Sequence, residues 1–312
     1  MDTDRGALVS CPYQKKRPTA FTHGLFLSPK YKGPQIRKTI SPQTLFANSL
    51  TLQEVRDLIK YKYGLQKEAQ MQKYAFEALQ QTPDEHRRGF CIPEIYRVMV
   101  DEEGSAYTYI IMEYVCGKTL GALMDDDLHK ELGLLTEPEN SHLGVPFSRS
   151  YYEDKLEKAF KLLLSFPVPE TVTAPGRWDG GHIKHPLFRE FDAPIRYESI
   201  EMLEKHINAV AAHRVRDQDS ALTVKLERKL HFVCSDLYEG NFMFTDAGDL
   251  YIIDFEQANF LPLSFMSFAV DTRMRAVCYM LYGKLDLPQE NLPAMRKAQY
   301  WFSIAGWQLG RS

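Results

Sequence analysis

Residues 234–257 read CSDLYEGNFMFTDAGDLYIIDFEQ. An Asp, an Asn and a second Asp are set into one short stretch and hemmed in by bulky apolar residues. The apolar runs "LHFVC" (230–234), "NFMF" (241–244) and "LYIID" (250–254) read as strands. Between the last two, "DAG" (246–248) is a tight-turn signal. Asp236 therefore follows one strand, Asn241 opens a second, and Asp254 closes a third. A hairpin brings Asn241 and Asp254 together although they lie thirteen residues apart (254 − 241).

A carboxylate and an amide oxygen converging at a strand edge make a hard-oxygen site suited to Mg²⁺. That ion prefers a few protein oxygens and fills its remaining positions with substrate phosphates. Asp236, on the loop before Asn241, is placed to accept a proton from an incoming hydroxyl. A base Asp, a ligand Asn five residues later and a ligand Asp on the next strand are the parts of phosphoryl transfer. Any one of these residues alone would pass as a turn-former capping a strand. The three in this order, flanked by buried strands, point to chemistry.

The rest of the chain supplies two kinds of region. "EVRDLIKYKYG" (54–64) alternates near its end, with Leu58, Lys60 and Lys62 on one face and Ile59, Tyr61 and Tyr63 on the other. "LQKEAQMQKYAFEALQ" is helical in composition, with Ala69, Met71, Phe76 and Leu79 marking its apolar side. "FCIPEIYRVMVDEEGSAYTYIIMEYV" reads as two strands around "DEEG", and "GKTLGALM" as a strand exit and helix start. Beyond that, "SYYEDKLEKAFKLLLSF" is helical, "PVPETVTAPGRWDGGHIKHPLF" is a long Pro- and Gly-rich loop, and "YESIEMLEKHINAVAAHRV" is helical with a Ser or Glu start signal. "MSFAVDTRMRAVCYMLYG" and "LPAMRKAQYWFSIAG" form a helical tail. A strand-rich first part and a mainly helical second part give an α+β expectation.

The segment "SDLYEGNFMFTDAGDLYIIDFEQANFLP" resembles the catalytic segment of the aminoglycoside-phosphotransferase-like kinases, roughly H-G-D-L-x-x-x-N, a strand, then I-D-W/F-E-x-A. "IPEIYRVMVDEEGSAYTYIIMEYVCGKTL" is similar to that family's I-P-V-P-x-V-Y followed by Y-I-I-M-E-Y-I-x-G-x-T-L. "LIKY" followed by "KEAQM" is similar to its V-V-K strand and the E-A of the next helix. "PVPETVTAPGRWDGGHIKHPLF" and "LEKHIN" look like its uncharacterised fungal branch. The resemblance covers about residues 55 to 270.

The resemblance implies a protein-kinase-like two-lobe fold. A flexible tail would span 1–20, a small β-rich N-lobe with one helix 21–115, and a larger mainly helical C-lobe 116–312. ATP would lie between the lobes, with Asp236 matching the catalytic base and Asn241 and Asp254 the Mg²⁺ ligands. Lys60 matches the lysine on the α and β phosphates and Glu68 the carboxylate that positions it. Glu113, Tyr114 and Val115 match the hinge whose backbone binds adenine. Lys62 shares the strand face of Lys60 and remains its rival. The implied activity is ATP- and Mg²⁺-dependent phosphorylation of a hydroxyl on a small molecule. No Asp-Phe-Gly and no Ala-Pro-Glu bounds an activation loop, which argues against a protein kinase. Cys234 and Ser235 stand in place of the family's His and Gly, and no Gly-rich loop precedes Lys60. They motivate a second reading, a catalytically weak nucleotide-binding or interaction module on the same scaffold, a pseudokinase.

The remaining features exclude more than they add. A net charge of −3 gives no footprint for nucleic acid or an anionic membrane. The five cysteines form no CxxC and no Cys/His ligand run, which favours reduced thiols over disulfides or zinc. The polar N-terminal stretch carries no secretory core, and no apolar run is long enough to span a bilayer, so the expected location is the cytoplasm, with no membrane partner. His182 and His185 read as parts of a packed loop, Cys234 as a small buried residue, and Arg273 and Arg275 as surface or structural residues.

Overall fold

The computed structural model describes residues 65–100, 108–131, 148–178, 180–213 and 222–305. Lys60 and Lys62, expected to hold phosphate, lie outside them, as does most of the expected N-terminal region. The described chain is a mixed α+β structure.

Helix α1 (Leu65–Gln81) forms from good helix formers and buries Met71, Tyr74, Ala75, Ala78 and Leu79, spaced three and four residues apart on one face. Phe76, expected on that face, is only partly buried. A short turn α2 (Asp84–Arg87) leads to β1 (Phe90–Cys91). Strands β2 (Ile95–Val100) and β3 (Thr108–Met112) pair antiparallel, with a register shift between Ile95 and Arg97, and α1 packs on both. β4 (Lys118–Thr119) runs into α3 (Leu120–Glu131), where the Thr119 hydroxyl accepts from the Ala122 N–H at 3.2 Å. α4 (Arg149–Ser165) precedes the long loop. α5 (Ile200–Ala211) follows it and is capped by Ser199, whose hydroxyl accepts from the Met202 N–H at 3.2 Å.

The opening stretch folds as its pattern demands. β5 (His231–Cys234), β6 (Phe242–Phe244) and β7 (Leu250–Ile252) are the three apolar runs, and β6 pairs antiparallel with β7. The turn between them closes through Gly248 N–H to Thr245 O at 2.9 Å and Thr245 N–H to Asp249 O at 3.0 Å. Gly248 has φ +82°, and a Cβ there would stand 2.6 Å from the Tyr151 hydroxyl, so both conformation and space demand glycine. The sheet runs β1-β7-β6-β4, with β1 parallel to β7. β4 approaches β6 so closely that a Cβ on Gly117 would sit 2.3 Å from Phe244 O.

Two parts of the fold differ from the sequence expectation. "ANFL" forms a strand, β8 (Ala258–Leu261), antiparallel to β5. The expected helical segment at 266–283 divides into α6 (Leu263–Asp271) and α7 (Ala276–Leu281), with Arg273 between them at φ +49°. The last helix, α8 (Leu292–Ala305), packs against α5 and α6.

One core joins α1 to the β5–β8 pair and the later helices. Tyr74 of α1 sits 5.2 Å from both Phe232 and Phe260, and its hydroxyl bonds to Pro167 O. Each such side chain removed from water contributes roughly 1.5–3 kcal/mol. Ring pairs of this geometry add about 0.5–1.5 kcal/mol. The β5–β8 pair is thereby fixed from beneath, and the segment Ser235–Asn241 leaves it toward the hairpin. Among the described residues no helix is long and apolar enough to cross a membrane.

Candidate functional site

The hairpin register decides where the expected ligands go. Phe242 is opposite Ile252, and the Ile253 N–H donates to Asn241 O at 2.9 Å. Asn241 and Asp254 thus flank the open end of the hairpin. Asp236 reaches the same place from β5: its carbonyl accepts a long bond, 3.4 Å, from Asn241 Nδ2.

Asn241 is 1% exposed, and its Oδ1 is buried with no hydrogen-bond partner. A buried amide oxygen left in this state costs about 1–3 kcal/mol, which native structures seldom leave uncompensated without a use for the group. Asp254 has φ +68°, in the left-handed region that Asp and Asn enter more readily than other non-glycine residues. Its Oδ1 accepts from the Glu256 N–H at 3.2 Å, an Asx turn that holds the backbone in that shape. Among the described residues no three His, Cys, Asp or Glu side chains gather into a cation cage. A divalent ion here would draw on Asn241 Oδ1 and the Asp254 carboxylate, with other oxygens coming from a phosphate.

Behind Asp254 the long loop closes the site with two cations. Arg177 Nη2 donates to Glu256 O, and Lys184 Nζ lies 3.3 Å from Glu256 Oε1. Ser235 is 4% exposed, and its hydroxyl donates to Gln257 O at 3.2 Å. Burial, with the Asp236 charge adding to it, pushes the Cys234 thiol far up. It stays protonated, which suits packing and not attack.

The expected hinge residues meet the same hairpin. Val115 packs with Met243 and Ile253 into a small apolar cluster apart from the main core, with Tyr251 against it. The Tyr251 hydroxyl donates to Glu113 Oε1 at 3.1 Å, and the Glu94 N–H donates to Glu113 Oε2 at 3.3 Å. Burial raises the Glu113 carboxyl above its ordinary value, and these two donors partly offset that rise. The Glu113 N–H is itself engaged by Glu94 O at 2.8 Å, so adenine recognition by this amide is closed. Tyr114 is half exposed. Glu68 lies on α1 at 9% exposure.

His185 is fully buried. Its Nδ1 accepts from the Leu187 N–H at 3.1 Å, and its Nε2 donates to Phe265 O at 3.0 Å, so one tautomer is fixed. Burial lowers it to about 3. It is a packed-loop histidine, as expected, whereas His182, expected to be one too, is exposed and lies 3.9 Å from Asp192. Sequence reasoning did not single out Tyr251 or Lys184. The alternation of "LYI" carries a signal for Tyr251, because Leu250 and Ile252 face the core and turn it the other way. Nothing in the loop composition marks Lys184. A scan of the chain against family models returns no match, and a search of curated proteins returns none either.

Proposed function

We propose that the protein is an ATP- and Mg²⁺-dependent phosphotransferase acting on a hydroxyl of a small molecule, built on a kinase-like two-lobe scaffold. One observation carries the reading: Asn241 Oδ1, buried and without a hydrogen-bond partner, at the mouth of a hairpin that also ends in Asp254. Such an oxygen fits a hard cation and has no evident use in a purely structural turn. The Val115–Met243–Ile253 cluster beside half-exposed Tyr114 fits the edge of a flat apolar ring.

In this reading Asn241 and Asp254 hold the ion, which when bound would neutralise phosphate charge. Asp236 orients the acceptor hydroxyl and takes its proton. The acceptor oxygen forms a P–O bond to the terminal phosphoryl group as the bond to the bridging β–γ oxygen breaks, and ADP leaves. Val115 and Met243 exclude water beside the base of the nucleotide. Glu113 keeps the connection between β3 and β4 tied to β7 through Tyr251.

Thermal unfolding with and without Mg²⁺–ATP tests the reading on the wild type and on Asp254→Ala. Nucleotide at about a hundred times its dissociation constant stabilises by roughly 2.7 kcal/mol. A wild-type shift that requires Mg²⁺ and is lost in Asp254→Ala is the expected result. No shift at millimolar nucleotide overturns it. A magnesium-dependent shift with no transfer to any hydroxyl acceptor favours the non-catalytic nucleotide-binding reading, for which the buried Ser235 and protonated Cys234 in place of Gly and His are the motivation.

A further inference from the structure

The link between α6 and α7 carries two arginines that the reading so far does not use. The Arg275 guanidinium lies over the Tyr238 ring, 5.0 Å from its centroid, and Arg273 lies over Tyr282 at 4.1 Å. Tyr238 is two residues beyond Asp236. Leu237 between them is 3% exposed, while Asp236 and Tyr238 are both partly exposed, so these two emerge on the side away from the core. The link is also tied to this segment from below: the Glu239 carboxylate accepts the Ala276 N–H. Arg275 is thus held against the loop that carries the proposed base.

The surroundings say what Arg275 is for. Arg273, at φ +49°, holds the link in a turn that presents Arg273, Met274 and Arg275 to solvent, with Met274 75% exposed. Tyr279 and Tyr282 are also exposed. The Glu239 carboxylate beside the link is engaged by the Ala276 N–H. Among the described residues neither Arg273 nor Arg275 belongs to an ion pair. A guanidinium laid over a ring keeps its in-plane N–H edge open, the geometry that takes a carboxylate or phosphate by two parallel bonds.

We propose that Arg275, seated on Tyr238, is the acceptor-binding group of this site, and that the hydroxyl compound phosphorylated here carries an anionic group, a carboxylate or a phosphate. The inference rests on the phosphotransferase reading for its place beside Asp236. A cationic group would be repelled at the Arg275 position itself.

The test uses the full chain saturated with Mg²⁺ and a non-hydrolysable ATP analogue. Three probes with the same carbon skeleton are titrated by calorimetry: glycerol, glycerate and glycerol 3-phosphate. Glycerate and glycerol 3-phosphate are expected to bind and glycerol not, and the stronger of the two identifies which anion the site takes. Arg275→Gln weakens the anionic probes by about 10- to 100-fold, the effect of removing hydrogen bonds to a charged group. Tyr238→Phe keeps the ring and the binding, whereas Tyr238→Ala loses both. The nucleotide-dependent thermal shift stays in all three variants, which shows that they fold and keeps the two readings separable. Equal binding in Arg275→Gln overturns the proposal, as does glycerol binding as well as the anions, or no anion binding beside a normal nucleotide shift. Arginine-dependent anion binding with no nucleotide shift leaves the anion site standing and removes the kinase reading.

Discussion

Asn241 and Asn259 are equally buried, at 1% and 0% exposure, and eighteen residues apart (259 − 241), yet they are treated in opposite ways. Asn259 is fully engaged. Its Nδ2 donates to Lys184 O at 2.8 Å and Gln257 O at 3.1 Å, and its Oδ1 accepts from the Lys184 N–H at 3.2 Å. It stitches the long loop to β8. Asn241 makes one long bond and leaves its oxygen open. Asn291 repeats the closed pattern, with Oδ1 accepting from the Lys225 N–H at 2.8 Å and Nδ2 donating to Lys225 O at 2.9 Å. Asn259 and Asn291 are thus buried amides satisfied at both ends, where they serve as glue. Among the described residues two buried amide oxygens lack a partner, Gln72 Oε1 on α1 and Asn241 Oδ1, and only the second stands at the hairpin mouth beside the left-handed Asp254, which is what argues for a site there.

The widest gap between the two regions should appear in Asp236→Asn. At the mouth of the site this change removes a proton acceptor while conserving shape. Turnover is expected to fall about 10²- to 10⁴-fold, the usual contribution of a general base, with stability changing by less than about 1 kcal/mol. An initial-rate assay of phosphoryl transfer together with a melting curve reads both. An unchanged rate removes Asp236 from the chemistry.

The closed region should answer in stability instead. Asn259→Ala leaves the Lys184 N–H and C=O without these partners in a partly buried place, at a cost of about 1–3 kcal/mol in denaturant unfolding. The magnesium-dependent nucleotide shift should survive wherever the variant folds. A loss below about 1 kcal/mol would mean that water replaces the amide and that the stitch is dispensable.

Acid should act on the same loop through His185. Its folded value, about 3, is below the ordinary 6.5, so its contribution is fully present above pH 6.5 and is lost as the pH falls toward 3. Below 6.5 the unfolded chain takes a proton that the folded chain refuses. Between pH 6.5 and 4.5 the loss is about 2–3 kcal/mol. Glu113, raised by burial, works in the opposite direction, so the measurement is the difference between the wild-type profile and that of His185→Gln. Parallel profiles would show that His185 titrates normally.

The hairpin was legible because its signals are local: apolar runs, a DAG turn and polar residues at the strand ends. β8 was hidden because Asn259 interrupts its apolar run, and nothing nearby in sequence shows that this amide is satisfied by Lys184, seventy-five residues back. The break between α6 and α7 was hidden for a different reason. Its left-handed residue is Arg273, not Gly or Asn, and tertiary ties such as Glu239 to Ala276 set the break. The order Asp236, Asn241, Asp254 was readable, but the unpartnered oxygen that gives Asn241 its meaning was not. Satisfaction of a buried atom depends on what packs above it.

The smallest expected effect on the free protein is the most telling. Asn241→Ala removes an oxygen whose burial is already unfavourable and a bond of 3.4 Å that contributes little. It also leaves a small void, which costs about 1 kcal/mol for a methyl-sized gap. The gain and the losses are similar in size, so the apo protein should melt within about 1 kcal/mol of wild type. If the oxygen is held for a cation, the magnesium-dependent part of the nucleotide shift should nonetheless disappear in this variant while it persists in Asn259→Ala. A large apo destabilisation would mean that Asn241 is glue after all, and the difference between the two asparagines would lose its functional meaning.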